Sequence, residues 1–276
     1  MDFTALGILA AKEFRDSVRT RWFVLYTIAF TVLAVGLSFL ATSFSGLGGV
    51  NGFGRTAAGL VNLVLLIVPL MGLTAGAQAL AGERERGTLL YLLSHPLDRA
   101  EVFLGKAVGL ASALAAAILG AFGLTGLFLA AAGAPMDGGA YGLFALLTLL
   151  LAMAALGLGL VISSLCARVV TALGVGLFAW LALVLLGDLG IMGTAVVLRL
   201  GIKPIFAVSA LNPLQLFKVA AVAGMEPTLD VLGPVGRYAA DLLGGGLVPA
   251  LAGGLALWGA LALVAAYAVF VRRDAR

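Results

Sequence analysis

The sequence predicts an all-α integral membrane protein with six membrane-spanning helices, and three observations predict it. First, only 11% of the 276 residues are charged while 62% are hydrophobic, against about 25% charge in an ordinary soluble domain. Second, charge-free runs cover residues 22–54, 56–82, 107–136, 138–167, 169–187 and 242–271, with lengths of 33, 27, 30, 30, 19 and 30. A helix needs roughly 20 apolar residues to cross the hydrocarbon core, so each run supplies one span and none supplies two. Third, the runs are continuously apolar rather than alternating, which selects helix over barrel strand.

Taken in order, residues 1–21 precede the first span. Leu6, Ala10, Phe14, Val18 and Trp22 form an i, i+4 stripe, with Lys12, Glu13, Arg15, Asp16 and Arg19 off it. That pattern predicts an amphipathic helix lying in the membrane interface; the plainer alternative is a charged lead-in to the first span. The first run is too long for a signal-peptide core and lies behind a charged stretch, so it reads as a retained span. The spans are expected at 22–42, 57–81, 107–131, 141–165, 169–187 and 247–271, all within one transmembrane domain. Pro69 falls inside the second, where a proline frees a carbonyl and kinks the helix. The turn around Arg168 is short enough to make spans four and five antiparallel neighbours. Residues 189–246 differ: Pro204, Pro213, Pro227 and Pro234 break short apolar pieces. Asn212 followed by Pro213 is an N-cap and a first helical position. This region is expected to form short re-entrant or surface helices before the last span.

Basic residues orient the chain. With the N-terminus inside, the inner side holds Lys12, Arg15, Arg19, Arg21, Arg84, Arg86, Arg99, Lys106, Arg168, Arg272, Arg273 and Arg276. The outer side holds Arg55, Arg199, Lys203, Lys218 and Arg237, so the count is twelve against five. The positive-inside rule then places both termini and residues 82–106 in the cytoplasm and 189–246 outside. The formal charge of +4 reports this topology and not binding to nucleic acid.

Several chemistries lack their residues. The chain has no G-x-x-x-x-G-K-[ST] loop to cradle a nucleotide and no H-E-x-x-H. One cysteine, Cys166, excludes an internal disulfide or a cysteine-cluster metal site. The only histidine, His95, lies outside the spans, and no lysine or acidic residue lies mid-span, so an ion or proton relay lacks its groups. Ser163 and Ser164 have no base and read as packing or backbone partners. The methionines are scattered, so no metal or other cofactor is expected on this chain. Gly72 and Gly76, Gly105 and Gly109, Gly120, Gly123 and Gly126, Gly157 and Gly159, and Gly174 and Gly176 offer close helix contacts in lipid, mostly within the chain and in part with a second copy.

Residues 82–106, GERERGTLLYLLSHPLDRAEVFLGK, are the one long polar island. They hold eight of the thirty charges, and their twenty-five residues far exceed an ordinary hairpin connection of about five. GERERG, residues 82–87, can start a helix, with Glu83 and Glu85 near its positive end. Ser94, His95 and Pro96 break it. Asp98 and Glu101 have capping-box spacing and open the helix leading into span three. The expectation is a docking arm over 83–96 and a rod over 98–106; the alternative is a solvated loop.

E-R-E-R-G-T-L-x-x-L-L-S-x-P-x-x-R followed by G-K resembles the cytoplasmic coupling segment of ABC-2 type permeases. The N-terminal helix, six spans and re-entrant pieces resemble the same family in layout. KEFRDSVRTRW at 12–22 and NPLQLFKV at 212–219 narrow the likeness to the permeases that serve nitrous oxide reductase maturation. The resemblance implies a non-catalytic subunit of the bacterial inner membrane, working as two copies with two ABC ATPase subunits that carry the ATP and magnesium. It implies that Glu83, Arg84, Glu85, Arg86, Gly87, Thr88, Tyr91, Leu92, Ser94, His95, Pro96 and Arg99 couple to the ATPase. It further implies a periplasmic β-helical partner, which could dock on Asn212, Pro213, Phe217 and Lys218. The output would be transport or mechanical work for copper-site assembly. An ABC-2 exporter of a lipid, drug or polymer and a non-transporting membrane anchor are the alternatives.

Overall fold

A computed structural model of the chain describes residues 3–44, 52–89, 98–133, 137–187, 209–225 and 244–272. Among them every element is helical. The helices are α1 (Phe3–Arg19), α2 (Arg21–Phe44), α3 (Gly52–Glu85), α4 (Arg99–Ala131), α5 (Gly138–Leu165), α6 (Val169–Leu185), α7 (Pro213–Met225) and α8 (Leu247–Arg272), with a 3-10 turn at Gly244–Gly246 before α8. Five of them, α2, α3, α4, α5 and α8, are long and apolar enough to cross a membrane. The fifth expected span is α6, whose helix holds 17 residues. At 1.5 Å per residue that is roughly 26 Å, slightly short of the hydrocarbon core. Much of the 189–246 region lies outside the described residues.

The bundle is built around α3 and α5. These two are the most buried spans, while α2, α4 and α8 turn most of their surface outward. Burial of apolar surface does not drive helices together in lipid, so close packing must. Glycines supply it. A Cβ on Gly76 would lie 2.6 Å from the Leu156 carbonyl, and one on Gly159 would lie 2.6 Å from the Leu73 carbonyl. The two backbones therefore touch directly at this crossing. Gly157 meets Ala262 of α8 in the same way, at 2.8 Å. These pairs serve contacts within the chain. Gly120, Gly123 and Gly174 have nothing within 4 Å of a would-be Cβ.

Ser163 ties the same crossing at one point. Its hydroxyl donates to the Ala77 carbonyl at 2.7 Å and accepts from the amides of Leu80 and Ala81 at 2.9 and 2.8 Å. A side chain of α5 is thus inserted into the hydrogen-bond ladder of α3, a recognised origin of helix bends. Ser164 bonds the Leu160 carbonyl of its own helix. Both serines act as backbone partners, as the absence of a base implied.

α7 is not a surface ornament. Asn212 Oδ1 accepts from the Leu214 amide at 2.9 Å, so it caps the helix, and its Nδ2 donates to the Leu183 carbonyl at 2.7 Å. Phe217 is fully buried, with its ring centroid 5.9 Å from that of Phe144. Phe144 packs edge-on against Phe122, and Phe122 against Phe30. This aromatic chain joins α2, α4, α5 and α7 in one cluster. A second cluster, around Phe103, Leu114, Leu156 and Phe270, fills the end of the bundle that carries the polar island.

The crossing predicts an asymmetric response to small substitutions. Gly159→Ala should destabilise the protein by about 1–3 kcal/mol through overpacking against backbone. Gly120→Ala, which meets nothing, should be neutral or slightly stabilising because alanine favours helix. Thermal unfolding in detergent measures both.

Candidate functional site: the charged end of the bundle

The polar island begins differently from the expectation that GERERG at 82–87 starts a helix. α3 runs without interruption through Glu85. Its 34 residues extend about 51 Å, well beyond a hydrocarbon core of about 30 Å. The helix stops at Gly87, which takes φ +72, a value glycine adopts without strain. Glu83 and Glu85 therefore sit at a helix C-terminus, where the macrodipole disfavours negative charge. Each is compensated by a group from elsewhere in the chain.

Glu83 is compensated by Lys106. The Lys106 ammonium on α4 lies 2.7 Å from Glu83 Oε1 and 2.7 Å from Glu13 Oε1. Lys106 is only 1% exposed, and Glu83 and Glu13 are buried too. Lysine is almost never fully buried unless paired. Lys12 adds a second ammonium, 3.5 Å from Glu13 and 3.6 Å from Glu83. Burial alone would lower its pKa, but the carboxylates of Glu13, Glu83 and Asp16 outweigh it and hold Lys12 above the ordinary value of 10.5. Two carboxylates thus balance two ammoniums, and three helices, α1, α3 and α4, are pinned at one point.

Glycine again allows the approach. A Cβ on Gly109 would lie 2.6 Å from Glu13 Cβ, and one on Gly105 would lie 2.7 Å from Leu9 Cβ. α1 therefore seats on α4 with Leu9, Glu13 and Ser17 inward, while Val18 and Trp22 stay exposed. The face that α1 turns to α4 is a different one from the apolar stripe of Leu6, Ala10, Phe14, Val18 and Trp22, and its centre is a glutamate because a buried lysine lies opposite.

Three other charges of the island cap three other helices. Arg84 Nη1 donates to the Cys166 carbonyl at 2.7 Å, at the C-terminus of α5. Glu85 Oε2 accepts from the Val169 amide at 2.7 Å, at the N-terminus of α6. Arg99 Nη1 donates to the Val271 carbonyl at 2.9 Å, in the last turn of α8. Each sign matches the dipole end it meets. Asp98 and Glu101 form the expected capping box at the start of α4, with the Asp98 amide 3.1 Å from Glu101 Oε2.

Of the residues expected to couple to an ATPase, Glu83 is buried and Arg84 is half-buried, whereas Glu85, Arg86, Gly87, Thr88 and Arg99 are exposed. Tyr91, Leu92, Ser94, His95 and Pro96 lie outside the described residues. Of the residues expected to meet an outer partner, Pro213 and Phe217 are buried and Asn212 caps α7, while Lys218 lines a cavity of about 150 Å³ beside Asn62, Leu183 and Gln215. Glu13 was overlooked as a site residue; the hint was its position four residues after Leu9 and four before Ser17. Among the described residues no group of three or more His, Cys, Asp or Glu side chains could hold a metal.

Residues 8–275 match the model of the ABC-2 family transporter proteins. The chain belongs to the ABC-2 transporter family. Two relatives, from Stutzerimonas stutzeri and Pseudomonas aeruginosa, each carry the name "Probable ABC transporter permease protein NosY". Both are 33% identical to this chain, over 273 and 271 residues, covering 96% of it and 97% of each relative. This ABC-2 protein is therefore a multi-pass membrane permease, and membership implies an ABC ATPase partner and usually a second permease copy. In this ABC-2 permease, the charged end described above gathers α1, the ends of α3, α5 and α8, and the starts of α4 and α6. The segments that the basic-residue count assigned to one side are brought to one end.

Removing one member of the buried cluster leaves its partners unpaired. Lys106→Met should cost about 3–5 kcal/mol, and adding Glu13→Leu and Glu83→Leu should recover much of that loss. Denaturation of the single and triple variants in detergent measures the difference; equal losses for both would sink the paired-charge account.

Proposed function

We propose that this permease takes force from a separate ATPase at residues 85–99 and passes it to the spans through the helix caps. What carries the reading is that Arg84, Glu85 and Arg99 each cap a different helix, α5, α6 and α8. The buried Lys106 cluster joins the same end of α3 to α1 and α4. A displacement of the exposed segment at Arg86, Gly87 and Thr88 reaches six helices through hydrogen bonds and ion pairs rather than through a flexible loop. Interfaces with two discrete packings are the usual carriers of such motion.

In this proposal both termini and the charged end are cytoplasmic, following the excess of basic residues there. ATP and magnesium are bound by the partner, and this chain is not itself an enzyme. The likeness to permeases of nitrous oxide reductase maturation, together with the two NosY-named relatives, supports an output in copper-site assembly. A membrane crossing by α6, as the fifth of six spans, and the docking of a periplasmic β-helical protein near α7 belong to the same proposal. On α7 the partner would meet Lys218 and the rim of its cavity, with Phe217 serving to hold the helix in place.

Two variants separate docking from coupling. Arg86→Glu with Thr88→Glu should weaken ATPase association about tenfold or more, as for a central interface contact, without changing the thermal midpoint. Arg84→Gln with Glu85→Gln should leave association intact but abolish the effect of the permease on ATP hydrolysis. Hydrolysis that still responds to the permease in the second variant would sink the helix-cap route, and hydrolysis indifferent to the wild-type permease would favour a passive anchor. Nitrous oxide reductase isolated from cells lacking the permease should miss its copper-site absorption; a fully metallated reductase would point instead to an exporter of another cargo.

A further inference from the structure

A cavity of about 370 Å³ opens beside the buried charge cluster, between α1, α2, α3 and α4, with Val169 at its edge. That size is ordinary for a small-molecule pocket. Its lining is mixed. Lys12, Arg86 and Lys106 line it as cations and Glu13, Asp16 and Glu83 as anions. Trp22, Phe23, Tyr26 and Met71 add apolar and aromatic surface. Glu83 uses only one of its carboxylate oxygens in the Lys106 pair. The other, Oε2, is buried with no hydrogen-bond partner among the described residues. A buried carboxylate oxygen left unmade is costly, and its natural complement is an N–H donor that carries positive charge.

The position narrows the ligand. The cavity lies where the amphipathic α1 gives way to the span α2, and Trp22 at that junction is exposed. Tryptophan and tyrosine concentrate at the headgroup level of membranes. A ligand here meets polar groups on one side and bilayer on the other. We infer that the groove between α1, α2 and α3 binds a phospholipid whose headgroup bears a primary ammonium, such as phosphatidylethanolamine. Glu83 and Asp16 accept from the ammonium, Lys12 and Arg86 face the phosphate, and the tails leave along Phe23 and Met71. Lys12 and Glu83 belong to the cluster that pins α1 to α3, so an occupied groove brings a lipid against the joint between them. The inference stands on the groove and not on the coupling proposal.

The test uses the full-length permease, delipidated in detergent. Native mass spectrometry and the thermal midpoint are followed as phosphatidylethanolamine, phosphatidylcholine or phosphatidylglycerol is added. Phosphatidylethanolamine should bind about tenfold more tightly than either of the others, the scale of one hydrogen bond to a charged group. Phosphatidylcholine keeps the phosphate but has no N–H, and phosphatidylglycerol has no ammonium. Ala75→Leu and Ala79→Leu, which narrow the groove and leave the charge cluster untouched, should each remove the preference. Equal binding of the three lipids, or an unchanged preference in both folded variants, would overturn the inference. Glycerophosphoethanolamine, the headgroup without tails, should bind at least about tenfold more weakly, since burial of each methylene contributes about 0.8 kcal/mol; equal binding would mark a soluble ligand instead. A disulfide between two copies carrying Gln78→Cys in a Cys166→Ser background would show a second permease covering the groove, and would equally overturn it.

Discussion

A lysine ammonium buried at the junction of three helices is the constraint on which this end of the molecule depends. Removing Lys106 from water is tolerable only while two carboxylates, Glu13 and Glu83, stay within 2.7 Å. Their presence fixes the rotation of α1, the length of α3 and the register of α4 together. α1 turns a glutamate inward, against its own apolar pattern. α3 runs on to Glu85, so that Glu83 reaches the lysine. α4 presents Gly105 and Gly109 so that α1 comes close enough.

Deeper in the bundle the same problem, how to hold helices together in lipid, is solved without charge. Gly76 and Gly159 bring α3 and α5 into backbone contact, and Ser163 bonds across the crossing to Ala77, Leu80 and Ala81. The protein therefore has two kinds of joint. The glycine joint is short, apolar and indifferent to charge. The ionic joint is at the polar end, where solvent and partners can reach its rim. A force delivered at residues 85–99 acts first on the ionic joint and its helix caps, and the Ser163 insertion is the next feature along α3.

Much of the architecture was legible as pattern. Continuous apolar runs locate the long helices because a span has few alternatives in lipid. The Asp98–Glu101 spacing locates the start of α4, and Asn212–Pro213 locates the start of α7, because both are local devices closed within one turn. The small-residue pairs announce close packing. What failed did so for a non-local reason. GERERG read as a helix start because acidic residues suit a positive dipole end, yet α3 ends within it, since Lys106, more than twenty residues later, supplies the missing charge. The face of α1 that packs on α4 went unread because hydrophobicity alone cannot anticipate a buried glutamate. Six expected spans became five long helices and one of 17 residues, a difference of a fraction of a turn at the end of an apolar run.

The sequence by itself determined the class, the long apolar helices, the polar island and the family likeness, because these rest on composition, run length and local motifs. Only the tertiary structure decided what the island's charges do. Glu83, Arg84, Glu85 and Arg99 find their partners at Lys106, Cys166, Val169 and Val271, and from the sequence all four look like free surface. The reason is physical: a charge is assigned its role by what lies within a few ångströms, and those neighbours come from helices far apart along the chain.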